Sequence, residues 1–338
     1  MFLTENSDIC DMMLSNVLTF LFGLVVITVG AEILLKGASK IASLLNIRPI
    51  VIGLTVVSIG TSLPELAVGL TAIGEGAGDI AVGNIAGTNI VNILFILGLS
   101  AAIRPLPLQM KSIRTELYTM IVAGILLFVL SLDGRLNTWD GLLMFTLGII
   151  YLIIIVRTSK NERASVQSEF KEEFEPSTTK EKSDYKVWSW NIMLLFCGII
   201  ATIYGAEKLV DGAVSIAQYF GMSDAVIGLT IIAIGTSAPE LATTIVGTIR
   251  NERDVAIGNL LGSSIINIFI ILGIISIFTS NGINVSDDIL WFDLPLVALV
   301  ALVCYPVFRS DQMVSRREGI LFVSLYLAYL SYLLFFRT

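Results

Sequence analysis

The sequence predicts an all-α polytopic membrane protein with ten transmembrane helices, built as two inverted-topology five-helix repeats. Three observations predict it. Of 338 residues, 55% are apolar and 14% charged, with a mean hydropathy of +0.85. Soluble domains carry about 25% charged residues, so there is too little polar surface to wrap a soluble fold of this length. Apolar runs long enough to cross a hydrocarbon core of about 30 Å follow one another along the chain. Finally, the chain is similar to itself at a fixed distance.

The runs lie near 17–35, 49–74, 80–102, 115–132 and 139–156, and resume after a polar stretch near 187–209, 225–249, 254–279, 288–308 and 319–336. This gives a first five-helix repeat at 1–156, a linker at 157–186 and a second five-helix repeat at 187–338. No Lys or Arg precedes the first run, whereas a cleavable leader starts basic, so this run is expected to be a retained span. The linker holds seven basic and seven acidic residues together with Pro176. It buries little apolar surface and reads as a flexible tether.

Basic residues set the direction. With the N-terminus outside, the inner face receives Lys36, Lys40 and Arg48, then Arg104, Lys111 and Arg114, then the seven of the linker. It also receives Arg250 and Arg253, then Arg309, Arg316 and Arg317. Only Arg135, Lys208 and Arg337 fall outside. The expectation is a multi-pass protein of the cell membrane with both termini outside and the 157–186 linker cytoplasmic.

Composition also excludes. There is no histidine, hence no His-based metal site, general base or proton relay. An acidic chain with net charge −7 offers no basic surface for nucleic acid. Cys10, Cys197 and Cys304 are too far apart to suggest a disulfide framework or a zinc site.

At a shift of 175 residues, Val51-Ile-Gly-Leu-Thr-Val-Val-Ser-Ile-Gly-Thr-Ser-Leu-Pro-Glu65-Leu-Ala recurs as Val226-Ile-Gly-Leu-Thr-Ile-Ile-Ala-Ile-Gly-Thr-Ser-Ala-Pro-Glu240-Leu-Ala. The same shift maps Gly83-Asn84 onto Gly258-Asn259, Asn92 onto Asn267 and Glu32 onto Glu207. Five spans, an odd number, separate each residue from its copy, so the halves cross the membrane in opposite directions. Inverted repeats are the architecture of secondary transporters, with binding sites at the midplane on interrupted helices.

Each Gly-Thr-Ser-x-Pro-Glu element lies mid-span. The proline removes a backbone donor and clashes with the preceding turn; with Gly60 or Gly235 it breaks the helix and frees carbonyl oxygens, which are tolerated at this depth where they line a cavity. Thr61, Ser62, Thr236 and Ser237 add hydroxyls. Glu65 and Glu240 add carboxylates that are costly in lipid unless paired, protonated or cation-bound. Two carboxylates with neutral oxygens form a hard cage suited to Ca²⁺, which takes six to eight flexible oxygen ligands, better than to Mg²⁺; the charge of −2 equally balances several Na⁺. A second element, Gly83-Asn84 to Asn92 and Gly258-Asn259 to Asn267, places Thr88 with Asn92, and Ser263 with Asn267, on one helix face. Its glycines read most plainly as helix packing. Glu32 and Glu207, near span ends, read as structural pairing or an entry role.

These paired motifs resemble the two α-repeats of the cation/Ca²⁺ exchanger superfamily, in its Na⁺/Ca²⁺ exchanger branch, over nearly the whole chain. The resemblance implies an antiporter that exchanges Na⁺ for Ca²⁺ by alternating access. Both ions are then transported substrates and no cofactor is needed. It implies that Glu65 and Glu240 are shared Ca²⁺ and Na⁺ carboxylates, that Thr61, Thr236, Ser62 and Ser237 supply oxygens beside them, and that Thr88 and Ser263 complete flanking Na⁺ sites. Asn92 and Asn267 would line the centre, while Ser58 and Ala233 fall where the family uses backbone carbonyls. Asn267 stands where K⁺-dependent members carry Asp, which argues against K⁺ co-transport.

The alternative within transport is an H⁺/Ca²⁺ antiporter using the same two carboxylates. An enzyme reading rests on Gly76-Ala-Gly78-Asp79, a short string found in intramembrane aspartyl proteases. No other span offers Asp79 a mid-membrane Asp partner, so the dyad such chemistry needs is missing, and the chain is not read as an enzyme.

Overall fold

A computed structural model describes residues 2–107, 110–173, 185–222, 227, 231, 233–279, 282–310 and 313–336. Among these, nine helices are long and apolar enough to span a membrane. In chain order the elements are α1 (Phe2–Leu45), α2 (Pro49–Gly74), α3 (Gly78–Ile103), α4 (Met110–Leu130), α5 (Thr138–Glu173) and α6 (Tyr185–Tyr219). There follow α7 (Ala233–Thr236 with Ala238–Arg250), α8 (Arg253–Ile277), α9 (Ile289–Arg309) and α10 (Arg316–Phe336). The tenth expected span, 225–249, corresponds to α7; its residues 225–226, 228–230 and 232 lie outside the described residues.

The expected boundaries need two corrections. Helices α1 and α6 are 44 and 35 residues long, well past the apolar runs at 17–35 and 187–209. Charged residues end an apolar run, but they do not end a helix that is already nucleated. For the same reason α5 continues through the first part of the expected flexible linker, from Arg157 to Glu173. That stretch is rich in Lys, Arg, Glu and Gln, which are good helix formers. The remainder of the tether, 174–184, lies outside the described residues.

The inversion is visible in the pairing of α1 with α6. Gly23, Gly30 and Gly37 on α1, and Gly198, Gly205 and Gly212 on α6, recur every seven residues and correspond across the repeat. A methyl group on Gly30 would sit 2.7 Å from the Thr202 backbone nitrogen, one on Gly37 2.7 Å from that of Leu195, and one on Gly212 2.6 Å from that of Phe20. Only glycine lets backbones come this close. Because Gly23 meets Leu209 while Gly37 meets Leu195, the two corresponding helices run antiparallel.

Two short antiparallel bridges tie the repeats together. Leu106–Pro107, after α3, pairs with Met313–Val314 before α10, and Arg135–Leu136, after α4, pairs with Ile283–Asn284 before α9. The main apolar core gathers α3, α4, α8 and α9 around Ile85, Leu97, Leu117, Leu260 and Leu272, all at most 1% exposed. This core holds α3 and α8 against α2 and α7, the two helices that carry the carboxylates.

Candidate ion-binding site

Helices α2 and α7 break at corresponding positions. Ser62 (φ −85°, ψ 5°) and Ser237 (φ −87°, ψ 8°) leave helical geometry, and new helices begin at Leu63 and Ala238. Pro64 and Pro239 fall in the first turns of those new helices, where a missing N–H is harmless. Glu65 and Glu240 fall in the same first turns, facing the positive end of the helix dipole. Further wide turns flank the breaks. Gly53–Val57 in α2, Val91–Leu97 in α3 and Asn267–Leu272 in α8 are π-helical, and such turns concentrate at functional sites. Asn92 and Asn267 lie at the start of the latter two, so the π-turns occur in corresponding places.

The side chains expected at the site are withdrawn from solvent. Ser58, Thr61, Ser62, Glu65, Asn92, Ser237, Glu240, Ser263 and Asn267 are fully buried, with Thr88 at 1% exposure; Thr236 is half-buried. Many of their polar atoms have no hydrogen-bond partner: both carboxylate oxygens of Glu65, Oε2 of Glu240, the hydroxyls of Ser62, Thr88 and Ser237, and both amide atoms of Asn92 and Asn267. Each such atom costs about 1–3 kcal/mol if left unsatisfied, and here they come from corresponding positions of both repeats. Among the described residues no group of three or more acidic, His or Cys side chains is suited to a metal. The arrangement is therefore two carboxylates among neutral oxygens, which fits a hard cation that is held and released.

Other expected residues are already engaged. Ser263 donates to Glu240 Oε1 at 3.2 Å, and its hydroxyl lies 3.4 Å from that of Thr61. Ser58 donates its hydroxyl to the Gly53 carbonyl at 2.6 Å, and its own carbonyl accepts the Ser62 N–H at 3.1 Å. Ala233 opens the helical stretch Ala233–Thr236. Pro64 and Pro239 leave the carbonyls of Gly60 and Gly235, four residues earlier, without their usual donors. The glycines of the second element divide: methyl groups on Gly258 and Gly262 would run into the α2 backbone at Ile50 and Leu54, whereas the neighbour found for Gly83 is the Ile289 side chain at 3.2 Å.

Two buried residues were not among the candidates. Asn259 accepts from the Thr61 hydroxyl at 3.0 Å and donates to Thr243 at 2.8 Å. Asn259 stands in a recurring motif and could have been singled out. Thr243 could have been found only as a departure from the repeat, since Val68 is its counterpart.

At the chain's other charged positions, Glu32 pairs with Lys36 at 2.8 Å and Arg250 at 2.9 Å, and Ser39 bonds Glu252. Glu207 meets Lys208 at 3.7 Å. A cavity of about 470 Å³ is lined by Pro64, Val68, Glu207, Asp211, Thr236 and Pro239, among others. Asp79, in the first turn of α3, accepts the Ile80 N–H at 3.1 Å.

Two inverted five-helix repeats meeting at a pair of broken helices are the framework of a secondary cation transporter. The profile of the family "Sodium/calcium exchanger protein" matches residues 15–157 and 190–335, once in each repeat, and the chain belongs to that family. It is 35% identical over 316 residues to the inner membrane protein YrbG of Escherichia coli, covering 92% of this chain and 94% of the relative. It is 30% identical over 345 residues to the sodium/calcium exchanger MaX1 of Methanosarcina acetivorans, covering 93% and 97%. The fold matches a structure of the sodium-calcium exchanger NCX_Mj soaked with 10 mM Na⁺ and no Ca²⁺, with a TM-score of 0.79, 30% identity, and coverage of 94% of this chain and 99% of that one. The protein is thus a cation/Ca²⁺ exchanger of the membrane rather than an enzyme, and Ca²⁺ and Na⁺ are the family's transported substrates rather than cofactors.

Proposed function

We propose that the chain is an Na⁺/Ca²⁺ antiporter that works by alternating access, with Glu65 and Glu240 carrying both ions. The observation that supports this reading is the cluster of buried, unpartnered polar atoms around the two carboxylates. A proton carrier needs only the carboxylates. Ser62, Ser237, Thr88, Asn92 and Asn267 supply neutral oxygens that a proton does not use and a dehydrated metal ion does. In this scheme one Ca²⁺ neutralises both carboxylates, and Na⁺ ions replace it with help from Thr61, Thr236, Thr88 and Ser263 and from main-chain oxygens near Ser58 and Ala233. Asn267 supplies an amide instead of a third carboxylate, so exchange proceeds without K⁺.

Tracer Ca²⁺ flux into proteoliposomes, with Na⁺, K⁺ or a proton gradient as the sole counter-ion supply, tests the proposal. Flux driven by Na⁺ alone supports it. Flux that follows only the proton gradient establishes H⁺/Ca²⁺ exchange instead, and a requirement for K⁺ overturns the reading of Asn267.

The proposed orientation keeps both termini outside and the 157–186 linker in the cytoplasm, on the strength of the basic-residue bias. In a variant lacking the three native cysteines, a cysteine at Asp133 should react with an impermeant thiol reagent on intact cells, and one at Tyr185 should not. The opposite pattern reverses the orientation.

A further inference from the structure

We propose that Thr243 is a positioning residue for alternating access, latching the Arg250 side of the ion path shut through Asn259 and Thr61. The two elements that must part to open that side are α2 of the first repeat and α8 of the second, and α8 packs along the first half of α2. One chain of hydrogen bonds crosses the contact. Thr61, in α2, donates to the Asn259 Oδ1 of α8 at 3.0 Å. The Asn259 amide donates to the Thr243 hydroxyl of α7 at 2.8 Å. Thr243 in turn donates to the main chain at the break, with the Pro239 carbonyl at 2.9 Å and the Glu240 carbonyl at 3.0 Å.

Thr61, Asn259 and Thr243 are all fully buried. Asn259 uses both halves of its amide, so separation of α2 from α8 leaves its Oδ1 only the Ser263 hydroxyl at 3.5 Å, and loss of the Thr243 hydroxyl strands a buried donor. Thr243 lies one turn beyond Glu240 and Asn259 one turn before Ser263, both on the Arg250 side of the carboxylates. Thr243 and Asn259 therefore act from outside the ion cage and meet it only at Thr61.

The repeat supplies the contrast. The counterparts of Thr61, Asn259 and Thr243 are Thr236, Asn84 and Val68. Valine has no acceptor, and the Nδ2 of Asn84 is buried without a partner. The mirror-image latch on the opposite side therefore lacks its final link. Two gates built from one sequence pattern thus close with unequal strength, and the inequality lies in one residue pair.

The inference rests on the alternating-access reading above. Removing the latch enlarges the population open on the Arg250 side, and apparent affinity scales with the competent population. Apparent KM for Ca²⁺ supplied on each face of oriented proteoliposomes should therefore be measured together with the maximal rate. In Thr243→Val the ratio of the two KM values should shift about three- to tenfold, the size of one buried hydrogen bond, in favour of the Arg250 face. Thr243→Ser should restore the ratio. Val68→Thr should move it in the opposite direction, and it decides the matter alone if Thr243→Val does not fold. An unchanged ratio in these variants, whatever the maximal rate, overturns the proposal. Hydrogen–deuterium exchange over 253–262 in ion-free detergent reads the latch without transport. Faster exchange in Thr243→Val, reversed in Thr243→Ser, supports the latch even if Na⁺ proves not to be the coupling ion; unchanged exchange counts against it.

Discussion

The opening turns of α3 and α8 derive from the same motif yet sit in different surroundings. Gly258, Asn259 and Gly262 of α8 are buried, and Val255 is fully so. Their counterparts Gly83, Asn84 and Gly87 on α3 are half-buried, and Ile80 is 55% exposed. Ser263 holds Glu240, while the counterparts Thr88 and Glu65 both keep unpartnered side-chain oxygens. The cavity that includes Val68, Glu207 and Asp211 is lined from α2, α6 and α7, and next to the start of α8 Glu32 is neutralised by Lys36 and Arg250. Corresponding sequence thus sits in a tight arrangement on one side and a loose one on the other, the asymmetry that the proposed alternating access would exchange between the halves.

The largest expected effect ignores this difference. Glu65→Gln and Glu240→Gln should each abolish Ca²⁺ uptake, because one remaining charge cannot offset dehydration of a divalent ion. Near-normal uptake by either variant would show that the two halves contribute unequally and would remove the shared-carboxylate assignment. Both variants should still fold, since an amide relieves repulsion between buried charges.

Packing should sharpen the contrast next. Gly258→Ala drives a methyl into the Ile50 carbonyl and to within 3.1 Å of the Leu54 nitrogen, backbone atoms that cannot step aside. Folded yield should fall severely. Gly83→Ala meets the flexible end of Ile289 and should cost no more than about 1–3 kcal/mol; size-exclusion yield and thermal midpoint compare the two. Hydrogen bonding gives a smaller step. Asn259→Ala leaves Thr61 and Thr243 without their partner and should lower stability by about 1–3 kcal/mol. Asn84→Ala, with one amide donor already unmet, should cost less than half as much; equal shifts in thermal midpoint would erase the distinction between the gates. The smallest effect belongs to Glu32→Gln: its partners Lys36 and Arg250 are exposed, so the thermal midpoint and the transport rate should both stay at the wild-type level.

Much of this molecule is legible in its sequence, for physical reasons. Intramembrane charge and helix-breaking proline are expensive, so Glu65, Pro64, Glu240 and Pro239 stand out wherever they occur. The 175-residue shift pairs them without any structure. Helix ends are less legible, because an apolar run measures the depth of hydrocarbon and not the length of helix; hence the overrun of α1 and α6 and the helical stretch from Arg157 to Glu173. The π-turns at Asn92 and Asn267 carry no signature in the residue pattern, since the apolar runs around them read as ordinary helix. Thr243 was hidden for a different reason. Attention to what the repeats share passes over what they do not, and the Thr243–Val68 difference is where the two halves diverge beside the site.

The glycine ladder between α1 and α6 has a consequence beyond packing. Each helix presents the pattern that it receives: Gly23, Gly30 and Gly37 face Leu209, Thr202 and Leu195, while Gly198, Gly205 and Gly212 face Leu34, Ile27 and Phe20, in antiparallel register. That is the geometry of an isologous contact, the self-complementary patch that joins two identical subunits about a two-fold axis. An interface of this type needs no second gene. A half-length ancestor inserted into the membrane in both orientations would already own it, and fusion of two copies would leave behind the ladder seen here, three glycines from each half.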